Sequence, residues 1–342
     1  MASALEKMEQ VLENRKFHPH PAISGPHLQT LVSARLKRDF SWGWRASADK
    51  LVELGDGSLL RVVVIAHSRT SPTLVAVHGM SGSSDSGYMQ GFSHKAHREG
   101  WNAVLLNLYN LNEKLTAPRI FHAGASRETA EALQLLSRML SLEEIYLVGV
   151  SMGGNIVLKL LGEFGESLRP LIRAGAVVSP MVDLDASWPY LEKPSNRIYR
   201  WYFVERLKKL VEQNAVIFRD FLEMEKLRRV ESIREFDELV TAPLSGFEDA
   251  HHYYREVSST RWFSKIRVPT LVLHSKDDPL LPWKPLTSPQ LQRNPWILTH
   301  LTERGGHVGF LERDRFNDID RKWAENRVID FFRLTEARSR GG

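Results

Sequence analysis

The 342-residue chain contains no cysteine. That excludes disulfides, a thiolate nucleophile and thiolate metal sites. No apolar run approaches the roughly 20 residues of a membrane-spanning helix. The N-terminus, Met1-Ala-Ser-Ala-Leu-Glu-Lys-Met-Glu9, is charged at once and shows no stretch resembling a signal peptide. Together with the missing cysteine this leads to the expectation of a cytoplasmic protein. Internal repeats, low-complexity tracts, helix-turn-helix patterns, zinc spacings and aromatic–basic platforms are all missing, so no nucleic-acid partner is expected. The formal charge of +5 is modest. Its basic clusters, Arg206-Leu-Lys-Lys209, Lys226-Leu-Arg-Arg229 and Arg338-Ser-Arg340, alternate with acids at helical spacing and read as solvated faces. Peripheral contact with anionic membrane headgroups stays open, and so does the oligomeric state.

What the chain has is 42% hydrophobic residues, enough for a large core, and one organised motif. Ile145–Val150, a strand-like run, meets Gly149-Val150-Ser151-Met152-Gly153, and the helix-friendly Ile156-Val-Leu-Lys-Leu-Leu161 follows. A serine on a sharp strand-to-helix turn has its Oγ pushed out of the sheet, and neighbours two residues away must lack bulk. The helix behind it aims free N–H groups at developing negative charge. Such a nucleophile needs a base and an acid to orient the base. Val268-Pro-Thr-Leu-Val-Leu-His274 reads as a buried strand, and Ser275-Lys-Asp-Asp-Pro-Leu-Leu-Pro282 follows it. A carboxylate just past a strand end is placed to face a site at that edge. The D-P-x-x-P phrasing favours Asp278 over Asp277; Asp183 and Asp185, after the preceding strand, are further alternatives. His307, in Glu303-Arg-Gly-Gly-His-Val-Gly309, is the base candidate among 13 histidines, because its glycine-flanked segment is a loop that follows both strands.

Thr73–Val77 is strand-like and runs into His78-Gly-Met-Ser-Gly82. Backbone N–H groups of Met80 and Met152 are the expected oxyanion donors. His78 itself reads as a residue that fixes this loop rather than as a base. Further strand-like runs at 59–66, 102–106, 174–178 and 296–301 alternate with helical patterns at 91–99, 126–140, 155–164 and 322–334. Such alternation indicates the α/β class, with a mostly parallel sheet flanked by helices. The rhythm breaks between 186 and 263, an aromatic-rich interval with helical patterns at 199–214 and 217–226. It is expected to form a helical cap over Ser151. Tyr88, Trp188, Tyr199 and Trp201 are candidate pocket walls, with packing inside the fold as the alternative. The expected organisation is an N-terminal helical extension (1–20), a core in two parts (21–185 and 264–335), the cap (186–263) and a basic tail (336–342). In the extension, Leu5, Met8, Val11 and Leu12 share one helical face.

With these pieces the chain resembles the YheT-like branch of the α/β-hydrolase superfamily, related to the abhydrolase-domain phospholipases and esterases of eukaryotes. The resemblance rests on Gly25-Pro-His-Leu-Gln-Thr30, on His78-Gly-Met-Ser-Gly-Ser83 with Tyr88, and on Arg119-Ile-Phe-His-Ala-Gly124. It continues in Arg234-Glu-Phe-Asp237 with Thr241-Ala-Pro-Leu244 and Gly246-Phe247, and it ends in the acid and histidine loops, covering about residues 20 to 335. The resemblance implies the α/β-hydrolase fold and a triad mapping onto Ser151, Asp278 and His307. It implies a serine hydrolase of carboxylic esters, with short to medium acyl chains expected, and no metal or organic cofactor. Phospholipid-directed cleavage, acyl transfer and a non-catalytic binding role are the alternatives. His27 and Gln29 are read as ties between the N-terminal segment and the core. One departure is Asn107-Leu-Tyr-Asn110, where relatives often carry Asn-x-Arg-Gly.

Overall fold

A computed structural model describes residues 3–36, 38, 40, 47–108, 115, 118–313 and 317–339. The departure at Tyr109 and Asn110, and Arg340 of the tail, lie outside the described residues. In chain order the main elements are α1 (Ala4–Asn14), α2 (Pro26–Arg35), β1 (Ser47–Glu53), β2 (Leu59–Ile65), β3 (Thr73–Val77), α3 (Gly87–Arg98), β4 (Asn102–Asn107), α4 (Ser126–Leu140), β5 (Ile145–Val150), α5 (Met152–Leu168) and β6 (Ile172–Val178). After β6 comes a run of helices, α6 (Leu184–Leu191), α7 (Arg197–Gln213), α8 (Ala215–Phe218), α9 (Met224–Arg228), α10 (Ile233–Phe236), α11 (Ala242–Leu244) and α12 (Ala250–Val257). A π-helical turn, Asp237–Thr241, lies between α10 and α11. The chain then returns through β7 (Thr270–Ser275), α13 (Pro289–Gln292), β8 (Ile297–Thr302) and α14 (Trp323–Ser339).

Among the described residues eight strands form one sheet in the order β1-β2-β4-β3-β5-β6-β7-β8. Only β2 pairs antiparallel, with β1 and with β4; β3 to β8 run parallel. Register aligns the carboxyl ends: Val77 opposes Gly149, and Val150 opposes Val178. The loops leaving β3, β5, β7 and β8 therefore emerge along one edge, where α/β sheets carry their sites.

Strand residues alternate between two apolar layers. Val75, Val77 and Leu147 face one side, with Leu133 of α4, Ile156 of α5 and residues of the cap helices, α6 to α12. Leu74, Ala76 and Val148 face the other, with Phe92 of α3 and Phe331 and Phe332 of α14. The amphipathic α1, opened by a Ser3–Glu6 capping box, buries Met8 and Leu12 in this second layer.

Two elements differ from the sequence pattern. β1 is an edge strand of mixed polarity, Ser-Ala-Asp-Lys-Leu-Val-Glu, so its apolar signal is weak. The helical stretch expected over 217–226 breaks between Phe218 and Met224. Phe218, Leu222 and Leu227 are all buried, and a step of five residues turns a side chain about 140° away from its predecessor on a straight helix. The break lets all three point inward.

Candidate active site

Ser151 has φ 55° and ψ −119°, a positive-φ conformation outside even the left-handed helical region and strained for serine. The packing beneath it explains the glycines. A Cβ at Gly153 would sit 2.4 Å from the carbonyl oxygens of Val77 and His78, and one at Gly149 would meet the Gly153 carbonyl at 2.3 Å. The helix α5 can thus seat its first turn directly on the end of β3 only without side chains there.

His307 Nε2 lies 3.0 Å from Ser151 Oγ, and His307 Nδ1 lies 2.8 Å from Asp278 Oδ2. The second oxygen of Asp278 accepts the N–H groups of Leu280 and Leu281 at 2.8 and 3.0 Å. Burial pushes the Asp278 carboxyl up, but the charge and hydrogen bond of His307, aided by His274 and the Leu280 N–H, outweigh it and hold the group below its ordinary value. A hydroxyl bonded to an imidazole whose other nitrogen is held by an ionised carboxylate can surrender its proton while attacking a carbonyl.

The His307 loop is anchored from three places, α2, the end of β7 and the end of β6. The N–H of His307 donates to Thr30 Oγ1 at 2.9 Å, and the Thr30 hydroxyl donates to the Pro26 carbonyl at 2.8 Å. Gly306 N–H donates to Asp277 Oδ1 at 2.9 Å, and Ser275 Oγ donates to the Gly306 carbonyl at 2.8 Å. Val308 N–H donates to Ser179 Oγ at 3.1 Å. Gln29 accepts from the N–H of Leu311 and donates to its carbonyl at 2.7 and 3.0 Å. The two adjacent aspartates thus divide: Asp278 meets the imidazole and Asp277 ties down the loop that carries it. Asp183 instead caps α6 through the Ala186 N–H, and Asp185 faces His251 at 3.1 Å, so neither meets His307.

The loop after β3 presses on the serine. A Cβ at Gly79 would lie 2.9 Å from Ser151 Cβ. The peptide groups on either side of its Cα are each held by a side chain. Gly79 N–H donates to the Tyr88 hydroxyl at 3.0 Å, and His78 Nδ1 donates to the Gly79 carbonyl at 2.7 Å. Leu108 N–H donates to His78 Nε2 at 3.0 Å, which places the ring proton on Nδ1. Burial lowers the His78 pKa to about 4, so the ring is neutral. Because a trans peptide opposes its C=O and N–H, holding the Gly79 carbonyl on His78 turns the Met80 N–H the other way. Met152 opens α5, among the N–H groups that helix geometry leaves without an internal partner.

An apolar cavity extends from this point into the cap, lined by Met80, Met152, Met181, Trp188, Leu207 and Tyr254 among others. Of the candidate walls, only Trp188 lines it. Tyr88 lies behind the Gly79 peptide, beside Val308 and Phe310. Tyr199 turns toward α2, stacks on His27 at 5.8 Å and sets its hydroxyl 3.3 Å from His27 Nδ1. Trp201 points outward and is 64% exposed. Helical spacing explains this, since Trp201 falls on the face of α7 opposite the cavity-lining Leu207 and Leu210. No local pattern marks Thr30 and Ser179 as supports of the His307 loop or Asp237 as a cavity residue, although Thr30 and Asp237 fall inside motifs that carry the family resemblance. Among the described residues no cluster of three or more His, Asp or Glu could hold a metal ion. No helix among them is long and apolar enough to cross a membrane.

Comparison with known proteins agrees with this architecture. The family described as the alpha/beta hydrolase fold matches residues 72–314. The YheT protein of Escherichia coli (strain K12) is 31% identical over 324 residues, which is 92% of this chain and 92% of its own length. The phospholipase ABHD3 of Mus musculus is 29% identical across 71% of this chain and 59% of its own. A monoacylglycerol lipase of Saccharomyces cerevisiae is 28% identical across 77% of this chain and 59% of its own. The chain therefore spans about three fifths of these two relatives. Among solved structures, an esterase of Pyrococcus furiosus, Pf2001, superposes with a TM-score of 0.55 at 16% identity, covering 84% of this chain and 91% of that one, a likeness of fold.

Proposed function

This chain belongs to the α/β-hydrolase fold family, in its YheT-like branch, and on that premise we propose that it hydrolyses carboxylic esters through Ser151, His307 and Asp278. The observation that carries the reading is the unbroken relay from Ser151 Oγ through the His307 ring to the buried Asp278 carboxylate. Ser151 Oγ attacks the ester carbonyl while His307 Nε2 takes its proton, and Asp278 stabilises the imidazolium. The oxyanion is held by the N–H groups of Met80 and Met152, each donor of this kind being worth about 3 kcal/mol of barrier. His307 then protonates the leaving alkoxide, and the acyl group stays on Ser151. Water attacks the acyl-enzyme with His307 again as base, and the proton returns to Ser151 as the acid departs.

The apolar cavity supports a hydrocarbon acyl chain as the group held there. The names of the phospholipase and monoacylglycerol lipase relatives support a lipid ester as substrate, and short to medium chains are our assignment. The test is labelling with a fluorophosphonate and peptide mass spectrometry, followed by a panel of nitrophenyl esters from about two to twelve carbons. The adduct is expected on Ser151, and Ser151→Ala should abolish both labelling and turnover. An adduct on Ser81, Ser83 or Ser84 would overturn the assignment.

A further inference from the structure

Asp237 opens the π-helical turn in the middle of the cap. Such turns, one residue wider than an α-helical turn, are frequent at functional sites. Its side chain is buried and lines the same cavity as Met80 and Met152. The Tyr254 hydroxyl donates to Oδ2 at 2.9 Å, and Thr241 supplies a second hydroxyl. Burial pushes the carboxyl up to about 6, against the pull of those two hydroxyls, and no cation contributes. A cavity that only had to hold hydrocarbon would gain nothing from a buried acid, which carries a desolvation penalty wherever it is not fully hydrogen-bonded. An ionised carboxylate has about four acceptor positions, and two hydroxyl partners leave room for further donors from the cavity side.

We propose that Asp237, seated by Tyr254 and Thr241, is the polar subsite of this cavity and selects ester substrates that carry a free hydroxyl, which donates to its carboxylate. A hydroxyl fits better than an ammonium group. The guanidinium of Arg234, itself outside the cavity lining, already lies 4.7 Å from the Trp188 ring that walls it, and its charge is felt at Tyr254. A second cation entering there would be repelled and would have to shed a tighter hydration shell. The proposal rests on the ester-hydrolase reading of the same cavity. It gives the cap a task separate from the bond-breaking step: Ser151 and His307 act on any ester presented to them, and Asp237 favours those with a donor to offer.

The experiment compares kcat/KM for mono-octanoylglycerol and propyl octanoate, which share an acyl chain and differ in the hydroxyls of the alcohol part. Wild type is expected to favour the hydroxylated ester. Asp237→Asn should lower that preference about tenfold, as losing a charge-assisted hydrogen bond does, and should leave propyl octanoate within about threefold of wild type. Tyr254→Phe, which keeps the acid and removes the group that seats it, should lower the preference to a smaller degree. It carries the test if Asp237→Asn does not fold. Equal losses on both esters, or an unchanged ratio in both variants, would overturn the subsite and leave Asp237 a residue that holds the cap together. A wild-type protein that cleaves neither ester would overturn the ester-hydrolase reading and the subsite with it.

Discussion

The loops at the carboxyl edge of the sheet and the cap helices above them are held by different forces. In the loops, position comes from backbone hydrogen bonds. His307 is framed by contacts of its own N–H and those of Gly306 and Val308 to Thr30, Asp277 and Ser179. The peptide groups before and after Gly79 are held by Tyr88 and His78 in turn. In the cap, position comes mainly from side-chain packing of Leu207, Leu210, Phe236 and Tyr253, with Asp237 as a buried polar exception. Directional bonds fix atoms to fractions of an ångström, as proton transfer demands, whereas apolar packing tolerates exchange of side chains of similar volume. Chemistry and selectivity should therefore respond to different substitutions.

The sharpest break is expected at the acid. Asp278→Asn should lower kcat about 10⁴-fold, because an amide favours the wrong imidazole tautomer. Asp183→Asn, which weakens only the cap of α6, should stay within a few-fold. Steady-state kinetics on a nitrophenyl ester checks both, and the reverse result would move the acid to Asp183.

Asp237 offers a break in the cap by pH. Its pKa is raised from 3.8 to about 6, so the folded state holds its proton more tightly than the unfolded chain does. The stability it contributes is fully present below the unfolded value and is lost as pH rises through about 6. The loss corresponds to about 3 kcal/mol. Urea unfolding of wild type and Asp237→Asn at several pH values should show the variant gaining relative stability by up to that amount between acid and neutral pH. A difference that does not change with pH would mean that the carboxyl keeps its ordinary value.

A smaller effect is expected from Thr30→Val, which leaves the N–H of His307 without its acceptor. An orphaned buried donor costs about 1–3 kcal/mol, and a displaced base should lower kcat by about tenfold. Thermal melting and kinetics measured together test this. A destabilised variant with unchanged kcat would show that the other anchors suffice to aim the ring.

The mildest change should come from the cap aromatics. Trp188→Ala should shift preference between neighbouring acyl lengths several-fold, each methylene being worth about 0.8 kcal/mol. Trp201→Ala, on the exposed face of α7, should leave the profile as it was. Profiles across an ester series decide it, and a shift in Trp201→Ala alone would place the acyl path outside the observed cavity.

Much of this layout is legible along the chain because its signals are local. The β3 run Thr73–Val77, the β5 run Ile145–Val150 and the helix Ser126–Leu140 are periodic segments that coincide with the elements observed. At the Ser151 turn the need for a small residue at Gly149 is equally local, set by the Gly153 carbonyl four residues on, whereas Gly153 is required by the Val77 and His78 carbonyls at the end of β3. The D-P-x-x-P phrasing already favours Asp278 over Asp277. Tertiary structure alone decided that Asp277 would tie down the histidine loop, that Thr30 would support His307 from 277 positions away, and that Trp188 rather than Tyr199 or Trp201 would wall the cavity. A period or a glycine spacing expresses what one stretch of backbone can do by itself. A hydrogen bond between α2 and the loop after β8, or the direction in which α7 turns its aromatics, depends on how distant elements pack, and no local pattern carries that information.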